Sequence, residues 1–304
     1  MSRLTVVEHA PAKLNLALSV GPPEPAAGGG AGLHPISSWM VTVDLFDDLT
    51  LTRLEDGSLS RYAIVWHKEA KRRSEINWSI AKDLAVCAHL ALEKHTGRHL
   101  PAQMKLEKRI PVGGGLGGGS SDAAAMLRAC NRLFDLNLSP DELAKIGHTL
   151  GSDVPFLVHG GSAIVEGFGE RVRHRHAPQL HAVIAFPDAV CATARVYALF
   201  DELGGGSLRS EAVEALATPS ARLRPDAPFN DLALAAARAA PQLADDLERL
   251  SQLAERPAHV SGSGSSIFVL CEDEMHAIAL AEAVEHKLSL PAVAAKTVPA
   301  AGTA

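Results

Sequence analysis

Residues 109–125 read RIPVGGGLGGGSSDAAA, with six glycines among the seven positions Gly113–Gly119 and only Leu116 between them. The segment before it, residues 102–110, alternates. Ala102, Met104, Leu106 and Ile110 fall on one face, and Gln103, Lys105, Glu107 and Arg109 on the other, as in a half-buried strand. From Ser121 onward, Ala123, Met126/Leu127, Cys130 and Leu133/Phe134 recur at helical spacing. The order is therefore strand, bare backbone, helix. A flexible linker is not expected inside a domain between two such elements. A helix N-terminus has unpaired N–H groups and roughly half a positive charge. Glycines let backbone amides close around an anion with no Cβ in the way. Ser120 and Ser121 add hydroxyl donors. The segment reads as a phosphate cradle, with a structural turn as the plainer alternative.

Two common phosphate loops do not fit. A Walker loop needs Gly-Lys-Ser/Thr, but Ser120 comes after Gly119 and no lysine is present. Gly113-x-Gly115-x-x-Gly118 satisfies the dinucleotide pattern formally. That pattern calls for a second strand with an acidic residue about 20 residues on. The chain continues instead into a second helix over 139–150, with Ser139 as N-cap, Pro140 in the first turn and Glu142 three residues after the cap.

The chain has 304 residues, 47% hydrophobic and 21% charged, with a formal net charge of −6. That is a globular composition without the basic footprint of a general nucleic-acid or membrane-surface binder. The cluster Lys68, Lys71, Arg72 and Arg73 reads first as a solvated face. Cys87, Cys130, Cys191 and Cys271 form no close pair, which suits buried free thiols in a reducing compartment. There is no apolar run of membrane-spanning length. Glu8, His9 and Lys13 interrupt the N-terminal stretch where a signal peptide would be apolar. These features predict a cytoplasmic enzyme.

Elsewhere, residues 4–20 read as β structure broken at Ala10-Pro11. In its second part Leu14, Leu16 and Leu18 point one way and Lys13, Asn15 and Ala17 the other. Residues 21–32, GPPEPAAGGGAG, read as a loop, 39–54 as a strand, and 77–95 as a helix with Ile80, Leu84, Cys87, Leu90 and Ala91 on one face. Strands are expected at 154–158, 162–166, 181–186, 258–260, 266–271 and 292–298. Helices are expected near 192–203, 230–239, 242–254 and 274–288. The sum is an α+β chain of two domains, with a boundary near residues 160–180.

PVGGGLGGGSSDAA resembles the ATP loop of the GHMP small-molecule kinases. Five further segments resemble motifs of that family in the same order: Pro11-Ala12-Lys13-Leu14-Asn15-Leu16, Leu150-Gly151-Ser152-Asp153-Val154-Pro155-Phe156, Glu166-Gly167-x-Gly169-Glu170, Phe229-Asn230-Asp231-Leu232 and Val260-Ser261-Gly262-Ser263-Gly264-Ser265. The resemblance spans residues 7–298. It implies an N-terminal domain of the ribosomal protein S5 domain 2-like type over 1–165 and a ferredoxin-like C-terminal domain over 166–304. It also implies ATP with Mg2+, and a cytidylyl-capped small alcohol as the substrate. No nucleic acid or membrane partner is implied, and the chain would act as a monomer or homodimer.

Residue roles carried by the resemblance are chemically coherent, because phosphoryl transfer to an alcohol rests on positioning and charge stabilisation. Asp153 would accept the hydroxyl proton, and Lys13 would stabilise the developing charge. Pro111, Val112, Gly113, Gly114, Gly115, Leu116, Gly117, Gly118, Gly119, Ser120 and Ser121 would hold ATP, with Asn77 at the adenine and Mg2+ near Ser120 or Ser121. Asn15, Leu33, His34, Thr193 and Tyr197, with Asp153, would hold the acceptor. The residues alone leave plainer roles open: a brace in the Gly-Ser-Asp turn for Asp153, an ordinary exposed lysine for Lys13, and a hairpin turn around Gly262 and Gly264. The family pattern has an aromatic residue where Leu33 stands, so its base stacking would be missing on that side. Trp78 beside Asn77 is also unusual. Two other readings are a GHMP kinase for another alcohol, such as homoserine or mevalonate, and a non-catalytic nucleotide-binding relative.

Overall fold

Strand β1 (Thr5–Val20) runs straight through Pro11, where the sequence predicts a break. Proline lacks only the N–H, so a strand accepts it wherever that donor is not part of a ladder. From Ala12 to Val20 every residue is buried, so both faces of the alternation are covered, the Lys13/Asn15 face included. Strand β2 (Ile36–Arg53) begins three residues earlier than expected. The computed structural model describes residues 4–25, 32–218 and 223–300; residues 26–31 of the Pro/Gly-rich loop lie outside them.

The chain divides into two units, neither of which is one continuous stretch. The first comprises residues 1–12, 45–112 and 117–160, and the second 13–44, 113–116 and 161–304. β1 and β2 each contribute a segment to both.

In the first unit the C-terminal half of β2 pairs antiparallel with the strand that precedes the glycines. β3 (Arg61–Trp66), not foreseen from the sequence, adds to it in parallel. α1 covers only Leu84–Thr96, after a single 3-10 turn at Ile80–Lys82. Asp83 accepts from Ala85 N and starts the helix there. Its buried face is Ala85, Val86, Ala88, His89 and Leu92, not the expected one; Leu90 is 48% exposed. Apolar residues surround this helix, so spacing alone does not select the packed side. β4 (Ala102–Lys108) keeps the expected faces. α2 (Gly118–Leu133) starts inside the glycine run. α3 (Pro140–His148) carries the full capping box between Ser139 and Glu142. Residues 154–158 form a helix rather than a strand: α4 (Val154–His159) has Pro155 in its first turn, where a fixed φ suits helical entry. An unbroken apolar run has no period to tell the two apart.

In the second unit the N-terminal half of β2 pairs with β5 (Ser162–Gly167), which pairs with β6 (Arg171–His174). β7 (His181–Ala185) belongs to a four-stranded antiparallel sheet. α5 (Thr193–Glu202) and the unforeseen α6 (Ser210–Leu216) precede β8 (Phe229–Asn230), which pairs with Ala17 and Leu18 of β1. α7 (Ala233–Ala239), α8 (Pro241–Ala254), β9 (His259–Val260), β10 (Ile267–Cys271), α9 (Glu274–Leu288) and β11 (Ala292–Lys296) complete it. The sheet order is β11-β7-β10-β9. Val183, Ile267, Val269, Val196, Leu243, Leu250, Leu280 and Val284 form its core with the helices.

All four cysteines are free, Cys130 and Cys191 buried and Cys87 and Cys271 half-buried; burial pushes the thiols of Cys130, Cys191 and Cys271 up, the last to about 11. Arg73 turns back to donate to the carbonyls of His67 and Lys68, as befits a solvated loop. Among the described residues, no helix is long and apolar enough to cross a membrane.

Candidate active site

The glycine segment needs its composition position by position. Gly113, Gly115 and Gly117 have φ of 71°, 73° and 69°, left-handed values that favour glycine, and Gly117 caps α2. Leu116 is buried and anchors the turn, its carbonyl accepting from Lys13 N at 2.9 Å. A Cβ on Gly115 would stand 2.1 Å from the Ser261 carbonyl, so a second chain segment is built directly on this backbone. Ser261 Oγ donates to Gly115 O at 3.0 Å, and Ser266 N donates to Gly114 O at 3.0 Å.

Residues 261–266 are indeed the turn between the antiparallel strands β9 and β10, but they also support the glycines. Asn230 Nδ2 donates to the carbonyls of Val260 (2.9 Å) and Gly262 (2.7 Å), which holds that turn. The next residue, Asp231, accepts from Val20 N, Ser19 Oγ and Arg209. Thr193 Oγ1 lies 3.0 Å from Ser263 Oγ.

Lys13 is buried, only 4% exposed, so it is no ordinary surface lysine. Its Nζ donates to Asn15 Oδ1 at 2.5 Å, Asn15 Nδ2 donates to Ser38 Oγ at 2.8 Å, and Ser38 Oγ donates to Ala17 O at 2.6 Å. Gly262 has φ of 57°, and a Cβ there would lie 3.1 Å from Lys13 Nζ. Lys13, Asn15, Gly115 and Gly262 thus meet in one place.

His34 and Tyr197 are also brought together, with ring centroids 5.1 Å apart. His34 Nδ1 donates to the Gly21 carbonyl at 2.9 Å, and Phe200 packs edge-on against the imidazole at 5.9 Å. Leu33 is 60% exposed, while its backbone pairs with Glu24.

In the first unit, the LGSD turn that bears Asp153 lies beside the serines of α2. A Cβ on Gly151 would come within 3.7 Å of Ser120 Oγ. Asp153 stands at the N-cap of α4, and its side chain makes no capping hydrogen bond. Asn77 is exposed, and Trp78 Nε1 donates to Asp83, the α1 cap, at 3.1 Å. Ser121 Oγ and Asp122 Oδ1 are buried without a hydrogen-bond partner.

One cluster is absent from the expectations drawn from the sequence. Lys108 is 3% exposed and bridges two buried carboxylates, Asp47 Oδ2 and Asp122 Oδ2, each at 2.5 Å. Asp47 Oδ1 also accepts from the backbone of Arg109 and of Ile110, the latter at 2.8 Å. The strand end before the glycines and the helix start after them are thereby tied to one ion cluster. Burial acts to lower the Lys108 ammonium, but Asp122 and Asp47 outweigh it and hold it above its usual value. Burial pushes the Asp122 carboxyl well up, with the charge of Asp47 adding and Lys108 opposing. A signal for the cluster is present in the sequence: position 108 falls on the same face of the alternation as Met104, Leu106 and Ile110.

Comparison with known proteins adds an independent line. Residues 83–161 match the model of the GHMP kinases N terminal domain, and residues 209–290 that of the GHMP kinases C terminal domain. The chain is similar to 4-diphosphocytidyl-2-C-methyl-D-erythritol kinase of Paenarthrobacter aurescens, 34% identical over 93% of this chain and 90% of that protein. It is 40% identical to the Bacillus pumilus protein of the same name over 65% of this chain, a match that spans 64% of that relative's own length. A crystal structure of 4-(cytidine 5'-diphospho)-2C-methyl-D-erythritol kinase superposes with a TM-score of 0.74 at 30% identity, covering 96% of this chain and 98% of that one. A homoserine kinase from Cytophaga hutchinsonii shares the fold at 17% identity, covering 97% of this chain and 95% of that one with a TM-score of 0.65.

Proposed function

The chain belongs to the GHMP kinase family, and on that premise we propose that it phosphorylates 4-diphosphocytidyl-2-C-methyl-D-erythritol at its 2-hydroxyl, in the non-mevalonate route to isoprenoids. ATP, when bound, supplies the phosphoryl group. The observation that supports this most is the buried Lys13, whose Nζ lies 3.1 Å from where a Cβ of Gly262 would stand, so that the bare, left-handed backbone there lets an anion approach amide and ammonium together.

Pro111–Gly119 hold the nucleotide, those after the proline through backbone N–H groups, with Ser120, Ser121 and the amide of Asn77. The buried, unpartnered Ser121 hydroxyl fits a phosphate oxygen or a Mg2+-bound water. His34 and Tyr197 take the cytosine, with Leu33 covering it by apolar contact and Thr193 at the margin. Asn15 stands with Lys13 at the acceptor alcohol. Asp153 would receive the alcohol proton as the oxygen–phosphorus bond forms and the bond from that phosphorus to the departing ADP breaks. Lys13 stabilises the negative charge that develops there. The enzyme works in the cytoplasm, as a monomer or homodimer, with residues 1–165 and 166–304 as its two domains.

The test is ADP release by the purified protein with Mg-ATP and each of three acceptors. Rapid turnover is expected with the cytidylyl substrate, and far less with homoserine or mevalonate. Equal rates with all three would sink the substrate assignment. No turnover with any of them would favour a nucleotide-binding relative.

A further inference from the structure

The four groups Lys13, Asn15, Ser38 and the Ala17 carbonyl form a hydrogen-bond chain whose two ends fix its direction. An ammonium can only donate, and a backbone carbonyl can only accept. Between them each group has one arrangement that pairs every donor with an acceptor. The Asn15 carbonyl faces Lys13, its NH2 faces Ser38, and the Ser38 hydroxyl points its hydrogen at Ala17. Reversing the Asn15 amide would set NH2 against NH3+ and leave Ser38 Oγ facing a carbonyl oxygen. Ser38 is fully buried on β2, and Lys13 and Asn15 are 4% and 3% exposed, so water is poorly placed to repair a mismatch. The neighbouring Ser37 is equally buried, yet its hydroxyl has no partner.

We propose that Ser38 is a positioning residue for Lys13: it sets the Asn15 amide so that a carbonyl oxygen, and not an NH2 group, faces the ammonium. It touches neither substrate nor nucleotide. The relay places the cation while removing none of its charge, because both intermediate groups are neutral. This inference rests on the catalytic role given to Lys13 above, but its geometry does not.

Replacing Ser38 by alanine removes the directional constraint that the hydroxyl puts on the Asn15 amide. In Ser38→Ala we expect kcat to fall about tenfold, the equivalent of one lost neutral hydrogen bond at the reacting centre. KM for ATP should stay within about twofold, because the nucleotide loop is untouched. Ser37→Ala, an equally buried deletion of a hydroxyl, should leave kcat unchanged. In an Asn15→Ala background the Ser38→Ala change should cost less than about twofold, because the relay is already cut. A normal kcat in Ser38→Ala, or a full additive loss in the double variant, would overturn the proposal.

A second measurement needs no substrate. The rate at which Lys13 is acylated by an N-hydroxysuccinimide ester is read by peptide mass spectrometry, with other lysines as internal references. Ser38→Ala should raise that rate at least about threefold, through a loosened ammonium. An unchanged rate removes the relay. A raised rate in a protein that phosphorylates none of the three alcohols would retain the relay and discard the function proposed for the site.

Discussion

Lys13 and Lys108 are buried to nearly the same extent, 4% and 3% exposed, and both sit at margins of the glycine segment. They differ in one set of hydrogen-bond partners. Lys108 is clasped by Asp47 and Asp122, so its charge is balanced inside the protein. Lys13 donates to an amide that is itself held by a hydroxyl. A cation tied to two carboxyl groups works as a rivet, because removing it strands both in the interior without their donor. A neutral relay adds no charge of its own to the cation it places, and on the function proposed above that ammonium stabilises the developing charge. On the function proposed above, the same residue type at the same depth would serve stability in one region and chemistry in the other.

That contrast can be broken most sharply by deleting each ammonium. Lys108→Met is expected to lower the unfolding free energy by about 3–5 kcal/mol, measured by urea denaturation. A loss under about 1 kcal/mol would show that the carboxylates do not need their cation. Lys13→Met should instead lower kcat by about 10²–10³-fold while costing stability less than about 2 kcal/mol. Equal stability losses in the two variants would erase the distinction.

Asp122→Asn probes the rivet by pH. The folded carboxyl is raised above the unfolded value of 3.8, so the native protein binds a proton that the unfolded chain releases. Its contribution to stability is complete below the unfolded value and is lost as pH rises through the folded one. The melting temperature of the wild type should therefore fall more between pH 5 and 8 than that of Asp122→Asn; parallel curves would mean that Asp122 ionises normally. The smallest effect is expected from a change that touches neither lysine. Leu33→Tyr should lower KM for the cytidylyl substrate up to about tenfold through base stacking, with kcat constant. A raised KM would place the base elsewhere.

Much of the frame was legible in the sequence because local periodicity carries it. The β4 alternation, the Ser139–Glu142 capping box and the C-terminal run of strands and helices are short-range patterns. Lys13 was different: on an alternating strand nothing marks it, and only the ordered motifs around it pointed to a role. The relay was not legible at all, because Asn15 and Ser38 are 23 residues apart and their meeting is a product of strand pairing. The ion cluster was half legible. A lysine on the apolar face of β4 calls for a buried counter-charge, but its partners lie 61 and 14 residues away. The helix at 154–159 was missed because a continuous apolar run supports either element until Pro155 is given its weight.

The seam between Gly114–Gly115 and Ser261–Ser266 has a consequence in time. Ser261 is 146 residues beyond Gly115, so the glycine segment is synthesised long before the turn that supports it. At roughly 5–20 residues per second, about 7–30 s of translation separate the two. During that interval the first half of the loop has neither the Ser261 hydroxyl nor the Ser266 amide to shape it. The form of the segment is therefore completed late in the life of the nascent chain, and with it, on the function proposed above, nucleotide affinity; a protein cut short before β9 would carry every glycine and still lack that form.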